Sequence, residues 1–206
     1  MLFRSDGMPV PAIILAAGAS RRLGQPKQLV HIGDETLLGR TVRVAMESDV
    51  GPVFVVLGAH RERITDEVDL TGVHAVFNPD WERGIASSIG AGIVALQQEL
   101  PDATAALLMV CDQPRLTAAH LRELTAVFDA GAGPAIVASA YAGVAGIPAI
   151  FPASEFEALL DLRGDEGARR VMRNPRCLLE TVSFDGGEVD VDTLTDLANA
   201  TRMSEG

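Results

Sequence analysis

The chain has 206 residues, of which 48% are hydrophobic and 22% are charged, and its formal net charge is −11. This length and composition fit one folded domain with a sizeable apolar core, and they exclude a disordered chain. Because nucleic-acid phosphates and anionic lipids repel an acidic surface, we expect neither nucleic acid nor membrane as the main partner, and we expect a small-molecule ligand.

The sequence predicts a cytoplasmic protein. Cys111 and Cys177 lie far apart with no CxxC pattern, and residues 1–10 lack the apolar core of a signal peptide. No apolar run reaches the roughly 18 residues that a membrane-spanning helix needs. We therefore predict a flexible N-terminal tail over residues 1–10, followed by a single domain over residues 11–202.

Short apolar runs alternate with longer segments of helical period, which is the pattern of β-α-β units. Strands are predicted at 11–17, 52–58, 73–77, 105–110, 134–139 and 147–151. Apolar helix faces recur within 37–45, 89–100 and 121–128, and two glycine-rich segments, 129–134 and 141–148, are predicted to be loops. This order predicts a three-layer α/β/α sandwich with a Rossmann-like, mostly parallel sheet, and ligands at the carboxyl ends of its strands.

The loop after the first predicted strand is locally basic. The stretch "IILAAGASRRLGQPKQL" (13–29) carries two arginines and a lysine and no acid. Its glycines are spaced neither as GxGxxG nor as a P-loop, but they allow backbone N–H groups to approach a ligand, and Arg22 and Lys27 can neutralise phosphate oxygens. The loop therefore predicts a phosphate site, with an ordinary loop of solvated charges as the alternative.

This loop also resembles a family signature. The segment 15–29 is similar to the pattern LAAGxSxRxGxxKxL of nucleotidyltransferases related to MobA and MocA, and further family-like motifs follow in the same order. They are "NPDWERGIASSIGAGI" (78–93), "VCDQPRL" (110–116), "GIPAIF" (146–151), "LRGDEGAR" (162–169) and "VDVDTLTDL" (189–197). Ala17 and the sequence Asp112-Gln113-Pro114 are closer to the MocA-like branch, the molybdenum cofactor cytidylyltransferases.

The resemblance implies a magnesium-dependent enzyme that transfers CMP from CTP to the phosphate of molybdenum-molybdopterin and releases pyrophosphate. Its protein partner would be a molybdoenzyme or a maturation factor of one. The alternatives are another phosphorylated acceptor, another NTP, or a non-catalytic carrier of the cofactor. The resemblance implies catalytic roles for Lys27, Arg22 and Asp112, and binding roles for Leu15, Ala16, Ala17, Gly18, Ser88 and Arg169.

Two aspartates are the expected magnesium ligands. Asp112 directly follows an apolar run, so it should emerge at the carboxyl edge of a buried strand, although a turn or helix-cap role is the alternative. By resemblance, the second ligand is the aspartate of the DT pair, Asp192, with Asp190 as the second choice. Asp192 lies between strand-like "GEVDV" (187–191) and a helix predicted to begin near Thr193, where capping is again the alternative.

Two predicted helix starts carry the remaining candidates. In "WERGIASSI", Ser87 and Ser88 fall in a first turn, where their hydroxyls can either contact a nucleobase or cap the helix, while Trp81 lines the site or anchors the core. In "LRGDEGARR", Arg169 is predicted to lie about one turn into a helix. There it can bind the acceptor's phosphate, with a solvated surface arginine as the alternative.

Overall fold

The structure is a computed structural model that describes residues 9–131, 133–191, 193 and 195–196. Its strands are β1 (Ala12–Ala16), β2 (His31–Ile32), β3 (Glu35–Thr36), β4 (Val53–Leu57), β5 (His74–Phe77), β6 (Ala105–Val110), β7 (Ile136–Tyr141), β8 (Val144–Pro152) and β9 (Leu179–Ser183). Its α-helices are α1 (Leu37–Met46), α2 (Arg61–Glu67), α3 (Ile85–Glu99), α4 (Ala118–Ala130), α5 (Phe156–Leu160) and α6 (Arg169–Met172). Short 3-10 helices cover Lys27–Leu29, Trp81–Arg83 and Ala153–Glu155.

A seven-stranded sheet forms the centre, in the order β5-β4-β1-β6-β8-β7-β9. β8 runs antiparallel to its neighbours β6 and β7, and the other pairs in this sheet are parallel. β1 lies between β4 and β6, where Ile14 is paired with Val55 and with Met109. The carboxyl ends of β1, β4 and β6 therefore meet at one edge, which is where ligands bind in open α/β sheets.

The sheet is covered on both faces, as the apolar runs of its parallel strands require. Helices α1, α2 and α4 pack on the face that includes Ile14, and helices α3, α5 and α6 pack on the face that includes Ile13. Both isoleucines are fully buried. This arrangement confirms the predicted three-layer α/β/α sandwich with a mostly parallel sheet.

Two predicted boundaries differ in the structure. Residues 141–148, predicted as a loop, form the hairpin between β7 and β8, whose turn places Ala142 and Gly143 at φ of 48° and 77°. Residues 187–191, predicted as strand-like, lie in a turn and an irregular segment, and the strand nearby is β9. The hairpin was missed because the two glycines were interpreted as a loop, whereas Gly143 adopts the left-handed conformation of a tight turn and Gly146 lies within β8.

At the N-terminal end, Val10 is buried and its carbonyl oxygen accepts the N–H of Gly51 at 2.8 Å, so this residue of the predicted tail belongs to the packed core. Residues 1–8 lie outside the described residues. Within the part of the chain that the structure describes, no helix has both the length and the apolarity needed to cross a membrane.

Candidate active site

The loop after β1 folds back on itself through one buried amide. Gln28 is fully buried, and its Nε2 donates to the carbonyl oxygens of Ala16 at 2.7 Å and Gly18 at 2.9 Å. The backbone N–H of Lys27 donates to Ser20 Oγ at 3.0 Å. These bonds close the loop over the end of β1, so that Lys27 lies beside the residues that follow Ala16.

A first cavity of about 440 Å³ opens at this edge of the sheet, a volume in the range of small-molecule sites. It brings together six residues predicted from the sequence: Leu15, Ala17, Gly18, Lys27, Ser88 and Asp112. The side chain of Ala16 instead packs in the core on the α1 face. Arg21 lines the cavity, and Arg22 is exposed on the same loop.

Lys27 and Asp112 form an ion pair at the floor of the site. Asp112 follows the buried Cys111 at the end of β6, and burial raises the pKa of the Cys111 thiol to about 12, which makes it an unreactive core residue. The side chains of Lys27 and Asp112 are only 21% and 14% exposed, and Lys27 is the only lysine in the chain. A partly desolvated amine and carboxylate thus face the cavity together.

A second cavity of about 250 Å³ adjoins the first and shares part of its wall. Both cavities are lined by Leu15, Ile85, Val110 and Asp112. The second cavity alone is lined by Ile89, Leu108, Gln113, Tyr141, Ile147, Gly167, Ala168, Arg169 and Asp190. Asp112 therefore lies where two ligands could meet.

The segment that contains Asp190 and Val191 lies beside Asp112 in the fold. The N–H of Val191 donates to the Asp112 carbonyl oxygen at 3.0 Å, and Val191 is fully buried against a small apolar cluster. Asp190 lines the second cavity, whereas Asp192 lies outside the described residues. Among the residues described, no group of three or more His, Cys, Asp or Glu is placed to hold a metal. Asp112 and Asp190 both line the second cavity, and carboxylates are ligands that Mg²⁺ accepts together with water or phosphate oxygens.

The start of α3 is organised by Asn78. This buried amide donates to Ser87 Oγ at 2.9 Å and to Ser88 Oγ at 3.1 Å. The Ser87 hydroxyl lies 2.8 Å from the Gly84 carbonyl oxygen, so Ser87 stabilises the local turn, while Ser88 lines the first cavity. Trp81 lines the same cavity, and a Cβ on Gly58 would come within 2.6 Å of Trp81 Cβ.

A loop before α6 contributes different residues to each of the two cavities. The Gly164 carbonyl oxygen accepts the N–H of Ala86 at 3.1 Å, which docks the loop on the start of α3. From this loop Asp165 lines the first cavity, and Arg169 lines the second. α6 begins at Arg169 itself and has four residues, so the prediction that Arg169 lies one turn into a helix was wrong. Gly164 and Asp165 form a turn, and the helix begins only after it.

Several cavity residues were not predicted from the sequence: Arg21, Glu82, Gln113, Tyr141 and Asp165. Arg21 and Glu82 adjoin the predicted residues Arg22 and Trp81. The motifs therefore located the site, but they did not indicate which of two neighbouring residues faces the cavity. Gln113 likewise adjoins the predicted Asp112, whereas Tyr141 reaches the site through the pairing of β7 with β8, which single-sequence patterns do not encode.

Comparison with known proteins gives relatives across nearly the whole chain. The purine catabolism protein PucB of Bacillus subtilis is 29% identical over 88% of this chain and 90% of its own. The nicotine blue oxidoreductase of Paenarthrobacter nicotinovorans is 28% identical over 91% and 94%. The molybdenum cofactor cytidylyltransferase of Escherichia coli is 28% identical over 60% and 62%.

Solved structures that resemble this chain also align with nearly all of it. The crystal structure of Rv0371c from Mycobacterium tuberculosis superposes with a TM-score of 0.84 at 32% identity, covering 95% of this chain and 99% of that one. A complex of Rv0371c with manganese gives a TM-score of 0.78 at 28% identity over the same shares of the two chains. The family model of the MobA-like NTP transferase domain matches residues 12–181, from β1 into β9. The chain therefore belongs to the MobA-like nucleotidyltransferases.

Proposed function

We propose that this chain transfers CMP from CTP to the phosphate of molybdenum-molybdopterin, giving the cytosine dinucleotide and pyrophosphate. The observation that carries the proposal is the Lys27–Asp112 ion pair at the wall shared by two adjoining cavities. The first cavity is large enough for most of a nucleotide, and the second provides Arg169 for an anionic acceptor. The sequence Asp112-Gln113-Pro114 and the name of the E. coli relative support the choice of CTP and pterin.

The reaction needs charge neutralisation more than proton transfer. An oxygen of the acceptor's phosphate attacks the α-phosphorus of CTP, the bond from that phosphorus to the bridging oxygen breaks, and pyrophosphate leaves with the electron pair. Because the nucleophile is already anionic, no general base is required. Lys27, with Arg21 and Arg22 on the same loop, neutralises the phosphates, and the two cavities align the reacting groups.

Asp112, with Asp192 or Asp190, is proposed to hold a divalent ion. The ion would supply positive charge to the triphosphate, and the manganese complex of Rv0371c supports a divalent metal in a related chain. A ligand role for the Asp112 carboxylate would let Lys27 Nζ turn from the ion pair toward the phosphates.

The direct test incubates the protein and Mg²⁺ with molybdenum cofactor and each NTP in turn, following pyrophosphate release and the pterin product. We expect CTP to support pyrophosphate release and GTP to support far less. Calorimetric titration with both nucleotides separates binding from turnover. A clear preference for GTP would overturn the assignment of the nucleotide.

A different phosphorylated acceptor is the second candidate. The relatives that match nearly the whole chain carry names from purine catabolism and nicotine chemistry, so similar proteins are not all named for the molybdenum cofactor. Pyrophosphate release from CTP with a different phosphomonoester, but not with molybdenum cofactor, would establish this candidate. A molybdoenzyme or its maturation factor is the proposed recipient of the pterin product.

A further inference from the structure

An arginine and the only tyrosine of the chain are paired in the second cavity. Tyr141 ends β7 and Arg169 begins α6. Arg169 Nη2 donates to the Tyr141 hydroxyl at 3.0 Å, and its guanidinium carbon lies 5.6 Å from the centroid of the tyrosine ring. Both contacts act on the same planar group, so they restrict its position and its tilt.

The hydrogen bonds around Tyr141 have a fixed direction. The Tyr141 hydroxyl donates to the Ile147 carbonyl oxygen at 3.0 Å. Since a carbonyl can only accept, the phenolic proton is committed to Ile147, and the hydroxyl oxygen accepts from Arg169 at 3.0 Å and, more weakly, from Gln113 Nε2 at 3.5 Å. The buried amide of Gln113 donates to the same carbonyl at 3.2 Å and to the Gly187 carbonyl at 2.9 Å, which fixes the hairpin.

Gly146 leaves the space that this pair occupies. A Cβ at this buried position would lie 2.3 Å from the Tyr141 hydroxyl oxygen and 2.8 Å from Arg169 Nη2. Both distances are shorter than van der Waals contact, so any side chain here would displace the tyrosine or the arginine. The glycine between β8 residues is therefore explained by the pair that it accommodates.

We propose that Tyr141 is a positioning residue, which holds Arg169 with its remaining N–H donors toward the acceptor's phosphate. The inference rests on the proposed function and names the acceptor's class: a phosphomonoester whose body presents an apolar or ring face. The walls around Arg169 are mostly apolar: Leu15, Ile85, Ile89, Leu108, Val110 and Ile147. Against these six side chains a hydroxyl-rich sugar phosphate would lose hydration without gaining hydrogen-bond partners, so only hydroxyls that reach Asp112, Gln113 or Asp190 would be compensated.

Steady-state kinetics with CTP and molybdenum cofactor test the role. Tyr141→Phe keeps the ring and removes the hydroxyl, so we expect the KM of the acceptor to rise about five- to tenfold, as for one lost hydrogen bond to a charged group. We expect kcat to stay within about twofold and the Kd of CTP to stay unchanged. Arg173→Ala, which removes an exposed arginine just beyond α6, is the control and should match the wild type.

The double variant decides whether Tyr141 acts through Arg169. If it does, Tyr141→Phe should add little to the effect of Arg169→Ala, because the hydroxyl then has no guanidinium to hold. Effects that multiply, or a change in the Kd of CTP with an unchanged acceptor KM, would overturn the proposal.

A second measurement does not need the acceptor. In nitrogen-15 NMR spectra of the free protein, the Arg169 Nη signals should be split by hindered rotation in the wild type and averaged in Tyr141→Phe. Phenyl phosphate should shift these signals, and glucose 1-phosphate should not. Averaged signals in the wild type, or equal shifts by both phosphates, refute the inference. Absence of pyrophosphate release with molybdenum cofactor in the wild type refutes only the proposed function.

Discussion

At the scale of single residues, Lys27 and Asp112 neutralise each other in an ion pair, although the proposed reaction gives each of them a different partner. In the free protein the amine neutralises the carboxylate, and both side chains are largely removed from water. When nucleotide and a divalent ion are bound, the proposed reaction needs the carboxylate for the ion and the amine for the phosphates. The ion pair therefore belongs to the ligand-free protein, and we expect it to separate when nucleotide and ion bind.

Removing the amine should separate these two roles. Lys27→Ala is expected to weaken triphosphate binding about tenfold or more, because a hydrogen bond between charged groups is lost. The free energy of unfolding should change by no more than about 1 kcal/mol, since both groups line a cavity and water can replace the lysine side chain beside the Asp112 carboxylate. Calorimetry with CTP and a denaturation curve provide the two readouts, with Arg63→Ala on the exposed face of α2 as control.

The same variant makes a prediction about metal. Without its lysine partner, Asp112 should bind Mn²⁺ more tightly in the absence of nucleotide, because the ion no longer competes with an ammonium group. Electron paramagnetic resonance of free Mn²⁺ would measure this. Weaker binding in Lys27→Ala than in the wild type would argue against Asp112 as a ligand.

The proposed metal ligands should behave as one unit. Asp112→Asn and Asp192→Asn are each expected to reduce turnover on the order of a hundredfold, about 3 kcal/mol of transition-state stabilisation. The double variant should lose much less than the product, because residues that serve one ion are not independent. Turnover against Mg²⁺ concentration measures this, and Asp190→Asn decides between the neighbouring carboxylates. Asp161→Asn, an 83% exposed position, is the control.

At the scale of elements, the loop before α6 depends on one glycine of the turn before α3. Gly84 has a φ of 98°, and a Cβ there would lie 2.3 Å from the Gly164 carbonyl oxygen. Because this loop carries Asp165 into one cavity and Arg169 into the other, its docking on α3 shapes both. A backbone contact thus controls two binding surfaces at once.

Substituting that glycine should disturb stability and both cavities together. Gly84→Ala is expected to lower the free energy of unfolding by about 1–3 kcal/mol, through the strained φ and the displaced loop. Gly90→Ala is the matched control, because its Cβ would meet only Leu160 Cδ2 at 3.9 Å, and it should be neutral or stabilising by up to about 1 kcal/mol. Chemical denaturation of both variants checks the contrast. Equal stabilities would mean that the loop adapts to a Cβ at position 84.

The elements that could be predicted from the sequence are those whose burial leaves a local pattern. β1, β4 and β6 are covered on both faces, so each is a continuous apolar run. β9, which lies at the edge of the sheet and is mostly exposed, has the mixed sequence "LETVS" and no such signal. Burial on both faces thus gives the clearest signal, although β5 was predicted as well from its β-branched and aromatic residues while being mostly exposed.

The site follows the same logic. Asp112 could be predicted because it directly follows a buried strand, and the edge where such strands end is fixed by the fold class. Tyr141 could not be predicted, because its place beside Arg169 depends on the register of the β7–β8 hairpin and on the absent side chain of Gly146. A residue at the end of one strand can be located from the neighbouring sequence, whereas a contact between residues far apart in the chain cannot.

At the scale of the whole molecule, the stability should depend on one buried histidine. His120 of α4 stacks on Phe184 with ring centroids 4.5 Å apart, and its Nε2 lies 2.8 Å from Ser139 Oγ. Ser139 Oγ donates to the Pro148 carbonyl oxygen at 2.7 Å, so it accepts from the imidazole. Burial lowers the pKa of His120, and the nearby Glu123 offsets part of this effect.

The sign of the pH dependence follows from that direction. Above the ordinary histidine pKa of about 6.5 the imidazole is neutral in the folded and in the unfolded protein. Below it the unfolded chain binds the proton more readily than the folded protein does, which favours unfolding. The free energy of unfolding should therefore fall between pH 7.5 and 5.5, and it should fall less in His120→Gln. His31→Gln, at an exposed histidine of β2, should retain the wild-type slope. Denaturation curves at the two pH values test this, and identical slopes in His120→Gln and the wild type would contradict it.

The solitary lysine has a practical consequence. Apart from the N-terminal α-amine, the chain offers amine-directed reagents a single target, and that target faces the cavity proposed for the triphosphate. Reductive labelling with an aldehyde such as pyridoxal phosphate should therefore modify one side chain, and bound CTP should protect it. The extent of labelling of Lys27 therefore reports whether the first cavity is occupied. Ligands for this cavity can be ranked by how much they reduce the mass increase of the intact chain, without knowledge of the acceptor.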